Sequence, residues 1–456
     1  MMFNLKRNSA FAGFEVVVNG LALFFIYRNV VQELGVSMLG IWSLVLATTA
    51  FGRAADVGIT SGLSRFVARS LGNEEPAQAI LYMRTGFVAV AIFMGGVALI
   101  LWYPLWYALA IALDGTELVL ARQLLPWAIL SFWLLNLKSV MDACLLGVHR
   151  ADLRAISNMI GMIFQLAASL ALVSGFGLFG LAWAQAAQFL LAFIMSLGFL
   201  VTFARIRRRE DSVSGWFCAG KFKEMLGFGV KLQIGTIANL MFEPVVKIVL
   251  GAVAGTAMLG IFEMAYRMAY QVRNVAILAI QTTVPAFTEL SARKSDEILM
   301  LFSKVCRTAA LAASVLMCTV ALGSPIISWL WLGDVNYTFI YISALMAIMW
   351  GFAILSAPAF FLGVATGNVM VNVIGQVIPG LLAPAMVYFL GTAIGPIAAV
   401  AGVVLCRIPG DFLPAIFNRP QGRWSHAVIV NPYTFVSICV IVMVSGGTAW
   451  LALHNL

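Results

Sequence analysis

The sequence predicts an all-α protein that crosses a membrane many times, built as two parallel-repeat six-helix bundles around a central cavity, plus about one extra C-terminal helix. Of its 456 residues, 62% are hydrophobic and only 10% are charged, and the mean hydropathy is +0.98. A chain of this composition would not stay soluble as a globular domain. Its apolar runs reach about 20 residues, which is enough to cross roughly 30 Å of hydrocarbon.

Thirteen apolar runs follow one another along the chain, joined by short connections. Each run is predicted to be helical, because in hydrocarbon a lone segment satisfies its backbone N–H and C=O groups only as a helix. The predicted spans are residues 10–31, 38–58, 84–104, 120–147, 154–174, 179–204, 225–250, 256–284, 302–330, 338–364, 369–391, 396–417 and 432–453. Either the last run crosses and leaves the C-terminus outside or an earlier span is miscounted, so twelve, thirteen and fourteen helices all stay open.

The basic residues of the connections set the orientation. Placing Lys6 and Arg7 in the cytoplasm also places most other basic connections there, as the positive-inside rule requires. These connections hold Arg65, Arg69, Arg150, Arg154, the cluster at 205–209, Lys221, Lys223, Arg293, Lys294, Arg419 and Arg423. The net charge of +9 is therefore explained by topology, and we expect no nucleic-acid partner. The N-terminus is predicted to be cytoplasmic.

A short repeat relates the two halves of the chain. The sequence "SMLGIWSL" at 37–44 returns 220 residues later as "AMLGIFEM" at 257–264. Six predicted crossings separate the copies, and an even number of crossings makes a repeat parallel, with a pseudo-two-fold axis along the membrane normal. The same offset pairs Arg53 with Arg273.

The repeat predicts the domain organisation. An N-lobe of six helices is expected at residues 1–204 and a C-lobe of six helices at 225–419. A basic cytoplasmic linker at 205–224 joins them, and residues 420–456 carry the extra C-terminal helix. Rocking of two such lobes about a central cavity is a common way to move a substrate across a membrane.

Ionisable side chains inside the predicted spans are candidates for function, because each costs about 2.5–3.5 kcal/mol to insert. Several can neutralise each other on one helix at a spacing of three or four residues. These pairs are Lys138/Asp142, Glu243/Lys247, Glu263/Arg267, Arg407/Asp411 and Arg53/Asp56. Glu15, Lys231 and Arg273 have no such partner, so they need one on another helix, from water or from a substrate.

The cations among these residues suit an anionic substrate. An arginine fork binds phosphate bidentately, and two forks at matching depth on opposite walls of a cavity would suit a diphosphate. The predicted substrate-binding residues are Arg53, Arg273, Lys138, Lys231, Arg267 and Arg407. The candidates for an ion-coupling site are Glu15, Asp142 and Glu243.

The sequence offers little for an enzyme. Six cysteines and three histidines are dispersed with no CxxC pair, so we predict no disulfide, no metal site and no cofactor. Neither a phosphate-binding loop nor a set of catalytic carboxylates or Ser/His/Asp residues stands out. No predicted extramembrane segment exceeds about 20 residues, whereas a membrane glycosyltransferase or polymerase usually needs a substantial outer loop.

Three stretches resemble the polysaccharide transporters of the MOP flippase superfamily. Residues 34–69 carry a leading Gly, Gly-x-Trp, Asp-x-Gly and the end "RFVAR". Residues 226–268 are similar to the seventh helix of the family, with an acid ahead of "IVLG" and a short turn into the eighth helix. Residues 284–292, "VPAFTELSA", resemble the sequence with which this region usually ends in the family. By position, Asp56 matches the Asp-x-Gly of the family, and Glu243 stands where an Asp is commoner.

The resemblance implies a flippase of the bacterial cytoplasmic (inner) membrane that moves undecaprenyl-diphosphate-linked oligosaccharide, such as an O-antigen unit, by alternating access. It also implies a cationic cavity, a proton or sodium ion as the coupling partner, membrane lipids around the helices and the polysaccharide polymerase machinery as a possible partner. The alternatives are a multidrug or organic-ion efflux transporter of the same fold and, further off, a membrane glycosyltransferase or polymerase. A major facilitator would need a Gly-x-x-x-Asp-Arg/Lys-x-Gly loop, which "VARSLGNEEPA" does not supply.

Overall fold

A computed structural model describes residues 5–50, 52, 59–207, 215–293, 296–420, 427–428 and 431–456. Within these ranges, the side chains of residues 5–10, 12, 59, 61, 203–207 and 228–240 are not described. The described residues form fourteen α-helices and no strand. In chain order these are α1 Leu5–Leu34, α2 Val36–Ala50, α3 Ile59–Gly72, α4 Pro76–Ala112, α5 Gly115–Gly147, α6 Ala151–Phe176, α7 Leu178–Arg207, α8 Ala219–Gln281, α9 Val284–Ala292, α10 Glu297–Leu332, α11 Tyr337–Thr366, α12 Met370–Ala393, α13 Pro396–Phe417 and α14 Pro432–His454.

The helices confirm a multi-pass membrane protein. Among the described residues, eleven helical segments are long and apolar enough to cross a bilayer, and α2 is apolar but shorter. The predicted span 225–250 lies on α8, and the predicted span 256–284 lies on α8 up to its end at Gln281. The backbone of α8 leaves helical geometry at Gly255, with φ 80° and ψ 172°. Glycine adopts positive φ without steric cost, so α8 is in effect two helices joined at this residue. The predicted all-α, multi-pass fold class is thus confirmed.

Helices α3 and α9 were not predicted from the sequence. Along α3, Leu63, Phe66 and Val67 are buried while Arg65 and Arg69 are exposed. An amphipathic helix of this kind has one apolar face and never produces a continuous apolar run of spanning length. Helix α9 contains only nine residues, which is also too short to span.

The chain divides into two compact units. Unit 1 comprises Met1–Glu33 and Leu44–Pro244, and unit 2 comprises Leu34–Ser43 and Val245–Leu456. In unit 1, α5 packs on α3, α4 and α7, and α6 packs on α7. The predicted lobe and linker boundaries stay predictions. Helix α8 begins at Ala219, inside the predicted linker.

Helix α11 is the central helix of unit 2. It packs against α9, α10, α13 and α14, and most of its apolar stretch is buried. The Asn336 side chain caps its N-terminus by accepting a hydrogen bond from the Phe339 N–H. The extra C-terminal helix α14 belongs to the same unit, because the Ser437 hydroxyl donates to the Ala310 carbonyl at 3.0 Å and the Ser314 hydroxyl donates to Ser437 at 2.8 Å. Helix α11 carries Trp350, one of the site residues described next.

Candidate functional site

A buried ion group in unit 2 is centred on Glu263. One carboxylate oxygen of Glu263 accepts from Lys247 at 2.6 Å and from the Ser43 hydroxyl at 2.9 Å, and the other accepts from Arg267 at 2.8 Å. The Lys247 and Glu263 side chains are only 4% and 5% exposed. Lys247 lies eight residues before Gly255 and Glu263 eight after it, so the turn in α8 brings them together. We call these four residues the Glu263 group.

Two arginines of unit 2 lie against one indole ring. The Arg273 guanidinium is 4.9 Å from the centre of the Trp350 ring, and the Arg407 guanidinium is 5.9 Å from it. Arg407 also donates to Asp411 at 2.9 Å. Among the described residues, Arg273 donates only to the adjacent Asn274, at 3.2 Å. The buried Nε of Arg273 has no hydrogen-bond partner there. Arg273 is therefore the less satisfied cation.

Tyrosines of α8 complete this arrangement. The rings of Tyr266 and Tyr270 stack at 6.0 Å, and each meets Trp350 edge-on at 5.4 Å. Tyr266, Tyr270 and Arg273 recur at helical spacing, so they share one face of α8. We call Tyr266, Tyr270, Arg273, Trp350, Arg407 and Asp411 the Trp350 group. Lys247 joins it to the Glu263 group, because its ammonium lies 5.8 Å from the Tyr266 ring.

These two groups carry a surplus of positive charge. Four cations, Lys247, Arg267, Arg273 and Arg407, stand against two carboxylates, Glu263 and Asp411. The residual charge of these six side chains is therefore +2. Aromatic rings and helices surround them, and in such low-dielectric surroundings charges interact more strongly than in water.

A second ion group lies in unit 1. Glu15 accepts from Arg154 at 2.9 Å and from the Asn158 amide at 2.7 Å, which joins α1 to α6. Lys138 and Asp142, one turn apart on α5, form an ion pair at 2.7 Å. We call these five residues the Glu15 group. Its two acids and two bases balance.

Several acceptor oxygens of unit 1 are left open. Among the described atoms, one carboxylate oxygen of Asp142 and the side-chain oxygens of Asn158 and Asn19 are buried without a hydrogen-bond partner, and so is one donor, the Arg154 Nε. Asn19 lies one turn along α1 from Glu15. Within the described residues, no three His, Cys, Asp or Glu side chains gather as a metal site. Carboxylate and amide oxygens together instead suit a proton or a hard monovalent cation.

The predicted site residues separate into three sets. Arg267, Arg273 and Arg407 come together in unit 2, whereas Lys138 lies in unit 1 beside Asp142. Arg53 lies outside the described residues, and so does the side chain of Lys231. The predicted partnership of Arg53 with Arg273 stays a prediction.

The ion pairs predicted from spacing along one helix are partly observed. The i,i+4 pairs of Lys138, Arg267 and Arg407 are present. Lys247 contacts Glu263 through a turn that spacing does not reveal. Its predicted pairing with Glu243 on the same helix stays a prediction.

The aromatic partners were missed. The helical spacing of Tyr266, Tyr270 and Arg273 was a usable signal. Trp350 gave none, because it stands in a uniformly apolar helix.

Comparisons with known proteins agree on the fold. Residues 16–171 match the model of the MatE family. The chain resembles an inward-facing multidrug resistance MATE family transporter of the MOP superfamily, with a TM-score of 0.73, 13% identity, and 94% of this chain and 99% of that chain covered. It also resembles the lipid II flippase MurJ in an inward closed conformation, with a TM-score of 0.69, 12% identity, and coverage of 98% and 99%.

A third similar structure differs in its binding pocket. It is a MOP superfamily transporter from Pyrococcus furiosus, described as having a binding pocket of reverse polarity that suggests a different function. The TM-score is 0.58 at 13% identity, with 95% of this chain and 96% of that chain covered. No curated protein matches the sequence. The chain therefore shares the fold of these MOP superfamily structures.

Proposed function

We propose that this protein is a flippase for an undecaprenyl-diphosphate-linked oligosaccharide, such as an O-antigen or other surface polysaccharide unit, in the bacterial cytoplasmic membrane. The observation that carries the proposal is the pair Arg273 and Arg407 on the Trp350 indole, with the Arg273 Nε unpartnered. A buried guanidinium with an open donor favours a ligand that brings its own negative charge.

The chemistry of a diphosphate fits this site. Arg273 offers donors in a planar fork, and Arg407 holds Asp411 with one nitrogen, so both guanidinium planes are fixed by ring contacts and hydrogen bonds. Fixed forks bind phosphate oxygens with little loss of side-chain entropy. The surplus charge of +2 in the Glu263 and Trp350 groups matches the charge that a diphosphate diester carries.

The Glu15 group is the proposed coupling site. Export against a gradient needs an ion whose binding and release drive the conformational cycle. Glu15 and Asp142 lie in membrane helices, carry balancing bases and have open acceptor oxygens beside them. A proton or a sodium ion would satisfy those oxygens. Glu243, the third candidate, lies on α8 at the end of unit 1.

Multidrug efflux by the same fold is the second candidate. The rings of Tyr266, Tyr270 and Trp350 form an aromatic cluster of the kind that attracts organic cations. However, Arg273 and Arg407 already lie over the Trp350 ring. A cationic drug would have to approach a site with a positive surplus, which disfavours it. The charges therefore favour the anionic lipid over the drug.

The leaflet distribution of lipid-linked oligosaccharide in a deletion strain tests the proposal. A membrane-impermeant glycosidase added to spheroplasts cleaves only oligosaccharide that has reached the outer leaflet. We expect cleavage when the gene is restored, protection without it, and protection again with Arg273→Ala at normal protein levels. Arg293→Ala is the matched control, because Arg293 is 70% exposed and pairs only at the surface with Glu289. Unchanged leaflet distribution together with higher cationic-drug sensitivity on deletion would contradict the proposal.

A further inference from the structure

A polar cavity of about 170 Å³ lies within unit 1. Its walls come from the end of α3, the first turns of α4 and the start of α8, and none of its lining residues belongs to the Glu15 group. A single water needs about 10–15 Å³ of cavity volume, so the space is sufficient for a ligand of several heavy atoms. The proposed transport function assigns no role to this cavity.

A hydrogen-bond network and an aromatic pair fix one side of the cavity. The rings of Phe66 and Tyr82 stack at 5.2 Å, and both residues are buried. The Tyr82 hydroxyl donates to Glu224 at 2.5 Å and accepts from Lys221 at 3.1 Å. Lys221 also donates to the Gln78 side chain at 2.7 Å. The start of α8 is therefore bound to α4, and the Lys221 ammonium and the Glu224 carboxylate are held at the cavity.

Three polar side chains that line the cavity lack protein partners. Those of Arg69, Ser70 and Glu75 form no hydrogen bond or ion pair with another residue that the structure describes. Ser70 is only 5% exposed, and a polar group at this depth is ordinarily hydrogen-bonded. A ligand in the cavity would supply the missing partner of the Ser70 hydroxyl.

The turn between α3 and α4 presents these side chains on a backbone that satisfies itself. Its carbonyls at Arg69, Ser70 and Leu71 accept from the N–H groups of Asn73, Glu75 and Glu74, at 3.0, 2.9 and 3.2 Å. Glu75 makes no side-chain cap bond at the start of α4, and the N-terminus of a helix attracts anions. A turn that is formed before the ligand arrives loses little entropy on binding.

The charges at the cavity balance without pairing. Two cations, Arg69 and Lys221, and two carboxylates, Glu75 and Glu224, line it, and within the described part of the chain none of the four forms an ion pair. A simple anion or a simple cation would therefore meet as much repulsion as attraction. A zwitterion is favoured, because each of its ends can lie beside side chains of the opposite sign.

We propose that this cavity binds a phosphoethanolamine group, either as the headgroup of phosphatidylethanolamine or as a soluble ester of the same chemistry. Arg69, Ser70 and Lys221 donate hydrogen bonds to the phosphate oxygens. Glu75 and Glu224 accept hydrogen bonds from the primary ammonium, which has three N–H donors. The inference does not rest on the proposed cargo or coupling ion.

The location of the cavity favours a lipid as the source of this group. Helix α4 contains 37 residues and is roughly 55 Å long, whereas the hydrocarbon core is roughly 30 Å thick, so α4 extends beyond the core into the headgroup region. The cavity lies at its first turns. Shortly before Lys221, Trp216 and Phe217 are exposed, and the Arg84 guanidinium lies 5.1 Å from the centre of the Trp216 ring. Exposed aromatic side chains beside cations are typical of headgroup depth.

Native mass spectrometry of the delipidated protein in detergent tests the site with lipids of matched acyl chains. Phosphatidylglycerol has the phosphate without the ammonium, and the quaternary ammonium of phosphatidylcholine has no N–H donor. We expect phosphatidylethanolamine to bind at least about tenfold more tightly than either. Arg69→Gln is expected to weaken its binding about tenfold, and Glu75→Gln is expected to weaken it without weakening phosphatidylglycerol.

Both substituted side chains are exposed, so these variants are expected to fold. Arg293→Gln is the control in unit 2, where Arg293 is 70% exposed and binding is expected to be unchanged. Soluble phosphoethanolamine that displaces the lipid at equal concentration would support the site and assign it to a soluble ligand, whereas a retained lipid would support the site and assign it to the membrane. Equal binding of phosphatidylethanolamine and phosphatidylglycerol, unchanged binding in Arg69→Gln, or equal displacement by inorganic phosphate would overturn the proposal.

Discussion

The ion groups of the two units differ in charge balance and in surroundings. The Glu15 group has two acids and two bases, open acceptor oxygens and no ring contact among its described members. The Glu263 and Trp350 groups have four cations for two acids and lie against three aromatic rings. A balanced group with spare oxygens suits a small cation, and an unbalanced group with fixed guanidinium planes suits an anion. The difference supports the proposed division of coupling and cargo binding between the units.

Removing the central carboxylate of unit 2 is expected to have the largest effect. Glu263→Ala breaks the buried ion pair with Lys247, and breaking a buried ion pair costs about 3–5 kcal/mol of stability. We expect a large fall in the melting temperature of the protein in detergent, measured by intrinsic fluorescence. Glu15→Ala is the comparison in unit 1, and its effect is expected to be smaller because Arg154 is 29% exposed and can turn to water. Equal falls in melting temperature for Glu263→Ala and Glu15→Ala would contradict the expected difference between the two groups.

Cargo transport is expected to depend on unit 2 cations more than on unit 1 cations. Arg273→Ala removes a charge-assisted contact to phosphate and is expected to lower flipping about tenfold to a hundredfold, as a loss of roughly 1.4–2.8 kcal/mol gives. Arg273→Lys is expected to restore little, because an ammonium has no planar fork. Lys138→Ala is the matched change in unit 1, where the lysine is already paired. The measurement is the rate of lipid flipping in proteoliposomes that contain Arg273→Ala or Lys138→Ala.

Coupling is expected to depend on the acids of unit 1. Glu15→Gln keeps the size and an acceptor oxygen but loses the charge, so the ion gradient should no longer drive export while cargo still binds. We expect the gradient-driven rate to fall to the rate without a gradient. An Asp411→Asn variant is the counterpart in unit 2 and is expected to keep gradient dependence. If the ion gradient still drove export in Glu15→Gln, the coupling site would lie elsewhere.

The smallest effect is expected from substituting Trp350, whose indole ring contacts Arg273 and Arg407. Trp350→Phe keeps an apolar ring but weakens the cation–π contacts, which are worth about 0.5–2 kcal/mol. We expect cargo affinity to fall a few-fold with little change in melting temperature. Trp183→Phe, a ring substitution in unit 1 beside Trp127, serves as the control. No difference between the two variants would show that the indole only fills space.

Much of the fold was predictable because hydrocarbon permits few backbone solutions. Continuous apolar runs located the spanning helices. The parallel relation of the halves, which the repeated Met-Leu-Gly-Ile predicts, stays a prediction. Amphipathic α3 was missed, since its apolar face is interrupted by arginines. The i,i+4 ion pairs were predictable because both partners lie on one helix.

Contacts through a turn or across helices were not predictable in the same way. Lys247 meets Glu263 only because α8 reverses at Gly255, and the Arg154 and Asn158 partners of Glu15 come from α6. The spacing of residues along the sequence does not predict such partners. The unpaired state of Arg273 on its own helix was visible, but the ring that fixes it stands about eighty residues later.

Equilibrium binding of a polyprenyl diphosphate to the purified protein tests the division between the units most directly. The measurement compares the wild type with Arg273→Ala and Glu15→Gln by the dissociation constant of the lipid. We predict at least about tenfold weaker binding in Arg273→Ala and unchanged binding in Glu15→Gln. Unchanged binding in Arg273→Ala, or binding of organic cations in preference to the diphosphate, would contradict the account.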